Sequence, residues 1–230
     1  MTLYETIFQR RSVRAYDSAP LDGELIQDIE QYLNSIVQMS AQSATFKITS
    51  GDEVKGTAAP HCILACCKSV DAEYANVGYV LQKMDLYLQS MGLGSLWLGM
   101  AKPKEKLDDF CILLAFGNTT APKRTSESDF KRLKLSEISD TDNAVSRAVH
   151  IAPSAMNSQP WKLKFADGKV TLLLKPRGAS QLILKTKLNK IDLGIGARHA
   201  VTALRNDGHE VISVIPKTDG KQFSIEILYQ

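Results

Sequence analysis

A chain of 230 residues with 44% hydrophobic and 23% charged side chains has the make-up of a folded protein that can bury a sizeable core, which argues against disorder. Its 28 basic and 25 acidic residues leave a formal charge of +3, too balanced to predict nucleic acid or another polyanion as partner. No apolar run approaches the ~20 residues of a membrane span, and Glu5 interrupts the short apolar pattern of Met1–Gln9, so neither a membrane partner nor a signal-peptide core is predicted and the expected compartment is the cytoplasm.

The first predicted helix covers Leu3–Gln9 and runs into the basic segment Arg10–Arg14. A second begins near Asp22, a plausible N-cap, with Leu25, Ile29, Leu33 and Ile36 on one stripe. Phe46–Thr49 and His61–Cys67 read as strands, the latter apolar throughout, as in a sheet covered on both faces. A long helix follows over Glu73–Met91, where Val77, Val80, Leu81, Met84, Leu88 and Met91 repeat at helical spacing and Gly92 supplies the stop. Gly92–Gly99 reads as a glycine-rich turn, Cys111–Phe116 as a strand, and Asn118–Lys134 as an exposed basic connection. There the chain is expected to divide into residues 1–134 and 135–230. Cys62, Cys66, Cys67 and Cys111 sit in apolar surroundings with neither a CxxC pair nor nearby histidines, which predicts buried thiols rather than a metal or disulfide. His61, His150, His199 and His209 are scattered and show no ligand spacing.

The second part opens with a helix through Asp140–Ile151 and passes Pro153–Trp161. Strands follow at Lys162–Phe165 and Val170–Lys175, joined by the turn Asp167–Gly168. Leu193, Ala197, Ala200, Val201 and Leu204 mark a helix over Lys190–Asn206 that stops at Gly208, before strands Val211–Ile215 and Phe223–Leu228. Both parts thus share the order helix, strand, strand, long helix, strand. Gly78 and Gly194 stand 116 positions apart, as do Gly92 and Gly208, and Phe46–Ile48 falls opposite Lys162–Lys164. An internal duplication accounts for these matches. Gly194-Ile-Gly196-Ala-Arg-His199 begins like a dinucleotide-binding motif, but His199 stands at the third glycine and no clear strand precedes it, so it is set aside as part of a repeated helix.

Two segments carry chemistry. Arg10, Arg11, Ser12 and Arg14 gather three guanidinium groups and a hydroxyl, a set that can hold a phosphate although a solvated basic turn has the same composition. Between Ala152 and Trp161, two prolines restrict a loop bearing Ser154, Asn157, Ser158 and Gln159. Its amides offer both donors and acceptors and suit the edge of a flat heterocycle, while turn chemistry ending on a core tryptophan is the plainer alternative.

R-R-S-V-R at 10–14, M-G-L-G-S-L-W-L-G at 91–99 and A-P-S-A-M-N-S-Q-P-W at 152–161 resemble the three flavin-contacting segments of the nitroreductase family. The resemblance implies an α+β nitroreductase-like fold. Typical members carry the third segment soon after the first, whereas here about 140 residues intervene. The chain therefore resembles a duplicated branch, similar to the TM nitroreductases, in which two α/β halves with mixed sheets pack as an intrachain pseudo-dimer and a monomer is plausible. One FMN per chain is implied, with the opposite, pseudo-equivalent site degenerate.

On this resemblance, Arg10, Arg11, Ser12 and Arg14 contact the phosphate, ribityl chain or ring, and the backbone around Gly94, Ser95 and Leu96 approaches the ring. Lys131 and Arg132 complete the phosphate site, with Lys123 and Arg124 as second choices, and Pro153, Ser154, Ala155, Asn157 and Gln159 reach in from the other half. Trp97 packs near the flavin, or as a core or interface tryptophan. NADH or NADPH is implied as reductant of flavin N5 in a ping-pong cycle that ends on a nitroaromatic, quinone or similar small-molecule acceptor. No catalytic side chain, proton donor or metal is assigned. The alternatives are a flavin-binding sensor or FMN-storage protein without significant turnover, and a relative performing a different flavin reaction.

Overall fold

The computed structural model describes residues 1–175 and 187–230. Helix α1 (Leu3–Gln9) starts on a capping box in which Thr2 and Glu5 satisfy each other's backbone amides, and it ends where Arg10 turns extended. That break sends the arginine run out of the helix as a straight segment. Asp22 caps α2 (Gly23–Asn34) by accepting the amide of Glu24.

Strands β1 (Thr45–Ser50) and β3 (His61–Cys66), helix α3 (Asp71–Ser90), then β4 (Gly94–Leu98) and β6 (Phe110–Gly117) build the first half, with β2 (Val54–Lys55) and β5 (Lys102–Pro103) pairing as a small separate ribbon. The second half holds α4 (Leu135–Ile138), α5 (Ala144–His150), β7 (Trp161–Ala166), β8 (Lys169–Leu174), α6 (Leu188–Asn206), β9 (Val211–Asp219) and β10 (Gln222–Tyr229). The sheets run β1-β3-β6-β4 and β7-β8-β10-β9. Ignoring the ribbon, both follow one pattern: first, second, fourth, third.

β1 and β7 begin at Thr45 and Trp161 and end at Ser50 and Ala166, so the 116-residue spacing holds at both ends of the strand. Each sheet is antiparallel throughout, not mixed as expected. Among the described residues the isolated bridge between Ser12 and Ser95 is parallel. The expected turn over Gly92–Gly99 is also corrected. Gly92 alone makes the turn, with φ 88°, and β4 then pairs with β6 from Gly94↔Gly117 onward.

α3 and α6 form the centre of the molecule and pack directly on each other. A Cβ at Gly78 would lie 2.0 Å from the Ile191 carbonyl oxygen, and one at Gly194 would lie 1.8 Å from that of Ala75. Ile191 stands 116 positions beyond Ala75, as Gly194 does beyond Gly78, so the crossing repeats itself about a local twofold axis. One hydrophobic cluster runs through both halves, from Ile7 and Leu81 to Trp161 and Ile227. The four cysteines are free, three of them buried and Cys66 half-buried. No described helix is long and apolar enough to cross a membrane.

Candidate functional site

The extended arginine run lies against β4. Val13 donates its amide to the Ser95 carbonyl at 3.0 Å beside the Ser12–Ser95 bridge, which brings R-R-S-V-R and G-L-G-S side by side. Gly94 is what permits this approach: a Cβ there would stand 2.7 Å from Val13 Cγ1 and 2.9 Å from Thr119 Cγ2. Packing against the protein's own side chains thus explains that glycine.

Behind the run sits a buried polar hub centred on Asp85. Arg10, 2% exposed, donates Nε to Asp85 Oδ2 at 2.7 Å. Gln82 Nε2 donates to the same oxygen at 2.9 Å, while Ser95 Oγ and Gln89 Nε2 donate to Oδ1 at 2.6 and 2.9 Å. Gln89 Oε1 accepts the Arg11 amide at 2.9 Å, and Gln82 Oε1 accepts Trp97 Nε1 at 3.2 Å. His199 Nδ1 lies 2.8 Å from the Ala148 carbonyl and Nε2 lies 3.1 Å from Gln82 Nε2. The Nδ1–H tautomer satisfies both contacts, and burial pushes this imidazole down to about 3, so it stays neutral. Gln82, Asp85 and Gln89 follow helical spacing on α3, a polar stripe that reads as solvent-facing until the arginine run covers it.

The Ala152–Trp161 loop is fixed from α6. Asp192 accepts the Ala155 amide at 2.9 Å and the Ser158 hydroxyl at 3.2 Å. Its burial raises the carboxyl to about 7. Met156, Asn157 and Gln159 all adopt positive φ (51°, 55° and 46°), a concentration of backbone strain that the surrounding hydrogen bonds must hold in place.

Ser12, Arg14, Leu96, Trp97, Pro153, Ser154, Ala155, Met156 and Asp192 line one cleft of about 190 Å³, so segments from both halves meet there. Six of the expected contact residues therefore share a wall: Ser12, Arg14, Leu96, Pro153, Ser154 and Ala155. Arg10, Arg11, Gly94 and Ser95 support that wall from behind.

The remaining expected residues form a clamp beside it. Asn157 accepts from Arg132 Nη1 and donates to the Lys131 carbonyl, both at 2.7 Å. Gln159 Oε1 accepts the Leu133 amide at 3.0 Å, and Arg132 Nη2 donates to the Ile151 carbonyl at 3.0 Å. Both amides predicted to face a heterocycle are thus engaged with residues 131–133, and Gln159 Nε2 also donates to the Asn157 carbonyl at 3.1 Å.

Arg124 joins this basic group. Its Nη1 donates to the Arg10 carbonyl, and its guanidinium lies 4.3 Å from the Phe130 ring centre, with that of Arg132 at 5.7 Å from the same ring. Burial, then Arg10 and Arg124, hold the Arg132 guanidinium down to about 10; burial, then Arg10 and Arg11, lower Arg124. Arg10 Nη2 and Arg132 Nε are buried without a hydrogen-bond partner among the described residues. Four arginines with one buried carboxylate, Asp85, leave surplus positive charge beside the cleft, as a phosphate group requires. Lys123 stays outside this group, exposed near Met1.

A family model described as Putative TM nitroreductase matches residues 2–204. No curated protein matches the chain. Among solved structures, a Thermotoga maritima protein of the same nitroreductase description superposes with a TM-score of 0.74 at 21% identity, covering 99% of this chain and 94% of that one. A nitroreductase family protein from Clostridium difficile 630 gives 0.49 at 18% identity over 60% of this chain and 96% of its own. An FMN-dependent nitroreductase from Clostridium difficile R20291 gives 0.47 at 15% identity over 60% and 98%.

Proposed function

Because the chain belongs to the Putative TM nitroreductase family, we propose that it is an FMN-dependent oxidoreductase whose single flavin site is assembled from both halves, residues 1–134 and 135–230. The observation that carries this reading is the meeting of Ser12 and Arg14 with Pro153–Ala155 on one cleft beside a group of arginines in which Arg10 Nη2 and Arg132 Nε are buried without a hydrogen-bond partner among the described residues.

In this reading Arg10, Arg11, Arg124 and Arg132 hold the phosphate. Ser12 and Arg14 lie along the ribityl chain and ring, and Trp97 and the Pro153–Met156 backbone wall the ring. The cleft's own volume is below the ~300 Å³ at which small-molecule sites usually begin, so the phosphate lies outside it, over the arginine group. Gly94, Ser95 and Leu96 act through the backbone and the Asp85 hub. Asn157 and Gln159 act by positioning Arg132 and residues 131–133. Bound FMN supplies two-electron transfer from NADH or NADPH to a small-molecule acceptor such as a nitroaromatic or quinone. The protein's part is to bind, to orient and to keep positive charge near the ring.

Saturation of the purified protein with FMN, desalting and absorbance spectroscopy test the proposal. One flavin per chain, bleached rapidly by NADH or NADPH, is expected. Two flavins per chain would refute the single composite site, retained flavin that is not bleached would reduce the protein to a flavin-binding module, and no retained flavin would refute the reading.

A further inference from the structure

The cleft has a counterpart on the opposite side of the α3–α6 pair. Val37, Gln38, Ser40, Tyr79, Ile212 and Ser213 line a second cleft of about 150 Å³. Each stands 116 positions from a residue of the first: Pro153, Ser154, Met156, Ile195, Leu96 and Trp97. The backbone is repeated as well. Ala41, the counterpart of Asn157, has φ 61°, and Asn76, the counterpart of Asp192, accepts the Met39 amide at 2.9 Å. The side-chain chemistry is not repeated, since Ala41 and Ser43 replace Asn157 and Gln159, and residues 126–130, the counterpart of the arginine run, contain no arginine.

Charge is rebuilt there from another source. On α3, Gln82, Asp85 and Gln89 form the hub around Arg10; the matching positions of α6 are Arg198, Val201 and Arg205. The carboxylate has become a valine and both amides have become arginines. Lys83, Arg198 and Arg205 line this second cleft together and also the adjoining hollow under Thr2–Tyr4. Arg198, 3% exposed, donates Nε to the Tyr79 carbonyl at 2.9 Å and lies 3.4 Å from the Tyr79 ring centre. Its Nη2 is buried without a hydrogen-bond partner among the described residues. Neither Lys83 nor Arg205 forms an ion pair among the described residues. Burial and the two arginines pull the Lys83 ammonium down to about 8, as expected for a cation whose neighbours are cations.

We propose that this second cleft binds the phosphate group of a small molecule through Lys83, Arg198 and Arg205. Three cations without a carboxylate call for an anion carrying more than one charge and several acceptor oxygens, which a phosphate offers and a monocarboxylate does not. This second site stands on the internal repeat and on its own three cations, whatever the first cleft holds.

Calorimetric titration with inorganic phosphate, in chloride of matched ionic strength, tests this on protein previously saturated with FMN. Saturable binding near one per chain is expected, weakened at least tenfold in the Lys83→Gln/Arg205→Gln double variant and severalfold in Arg205→Gln, an exposed position that leaves the core untouched. Arg124→Gln, in the basic group beside the first cleft, should leave it unchanged. Adenosine monophosphate in a parallel titration separates the sources: tighter binding identifies a nucleoside phosphate, and equal binding identifies free phosphate. Absence of saturable binding, or binding that survives both Arg205→Gln and the double variant, would overturn the proposal. So would loss of binding in Arg124→Gln alone. Flavin stoichiometry, read in each variant, reports separately on the first cleft.

Discussion

Asn76 and Asp192 hold the same post in the two halves: each side chain accepts, at 2.9 Å, the amide of a residue in the loop before the sheet, Met39 for one and Ala155 for the other. One is a neutral amide and the other a buried acid raised to about 7.

That difference predicts a pH dependence. A carboxyl whose folded pKa lies above its unfolded value binds its proton more tightly in the native state. The stability it contributes is complete below the unfolded range near ~4 and is lost as pH rises toward about 7. Asp192→Asn, the residue the first half already uses, should remove this component. Urea midpoints of wild type and variant, compared between pH 4 and 8, should diverge in the variant's favour as pH rises, with a slope of at most ~1.4 kcal/mol per pH unit. Parallel curves would show that Asp192 does not titrate in this window.

Asp85→Asn should be far more costly. It leaves the Arg10 guanidinium buried against an amide, and breaking a buried pair from one side costs about 3–5 kcal/mol. One carboxylate oxygen becomes an NH2 group, so either Gln82 or the Ser95–Gln89 pair loses its acceptor at the same time. Chemical denaturation should show the loss, and flavin retention should fall with it because the arginine run is no longer held.

At the crossing of the two long helices, Gly78→Ala and Gly194→Ala each drive a methyl group into a backbone carbonyl. Overpacking that backbone shifts must relieve costs about 1–3 kcal/mol or more. The two variants should be similarly destabilised because their surroundings are related by the repeat. A thermal melt in which one is neutral and the other severe would contradict the local twofold.

Asn157→Ala removes the acceptor for Arg132 and the donor to Lys131 while leaving the buried core intact. A loss of ~1 kcal/mol in stability is expected. FMN affinity measured by fluorescence quenching should weaken by roughly tenfold, equivalent to ~1.4 kcal/mol, because Arg132 is no longer aimed. Unchanged affinity would remove Arg132 from the phosphate site.

The long helices were legible because their apolar stripes and terminal glycines are local signals, and so was the repeat they share. β4 was not: Gly92, Gly94 and Gly99 imitate a turn, although Gly94 is there to let Val13 approach and the segment pairs along β6. The Asp85 hub was hidden for a different reason. Its partner Arg10 lies 75 positions away, and a polar stripe on a helix carries no mark of whether water or another segment covers it. The same limit applied to Asn157 and Gln159, whose hydrogen-bonding capacity was visible while their partners in residues 131–133 were not.

The glycine crossing between α3 and α6 places two copies of one contact within a single polypeptide. In an assembly of identical subunits, any substitution at such a seam is inherited by both sides at once, and so is any change in the two pockets it separates. Here each side is encoded separately. A loop can trade Asn157 for Ala41, or a helix Asp85 for Val201, on one side while the other keeps its chemistry, and the partner that tolerates the change can never dissociate.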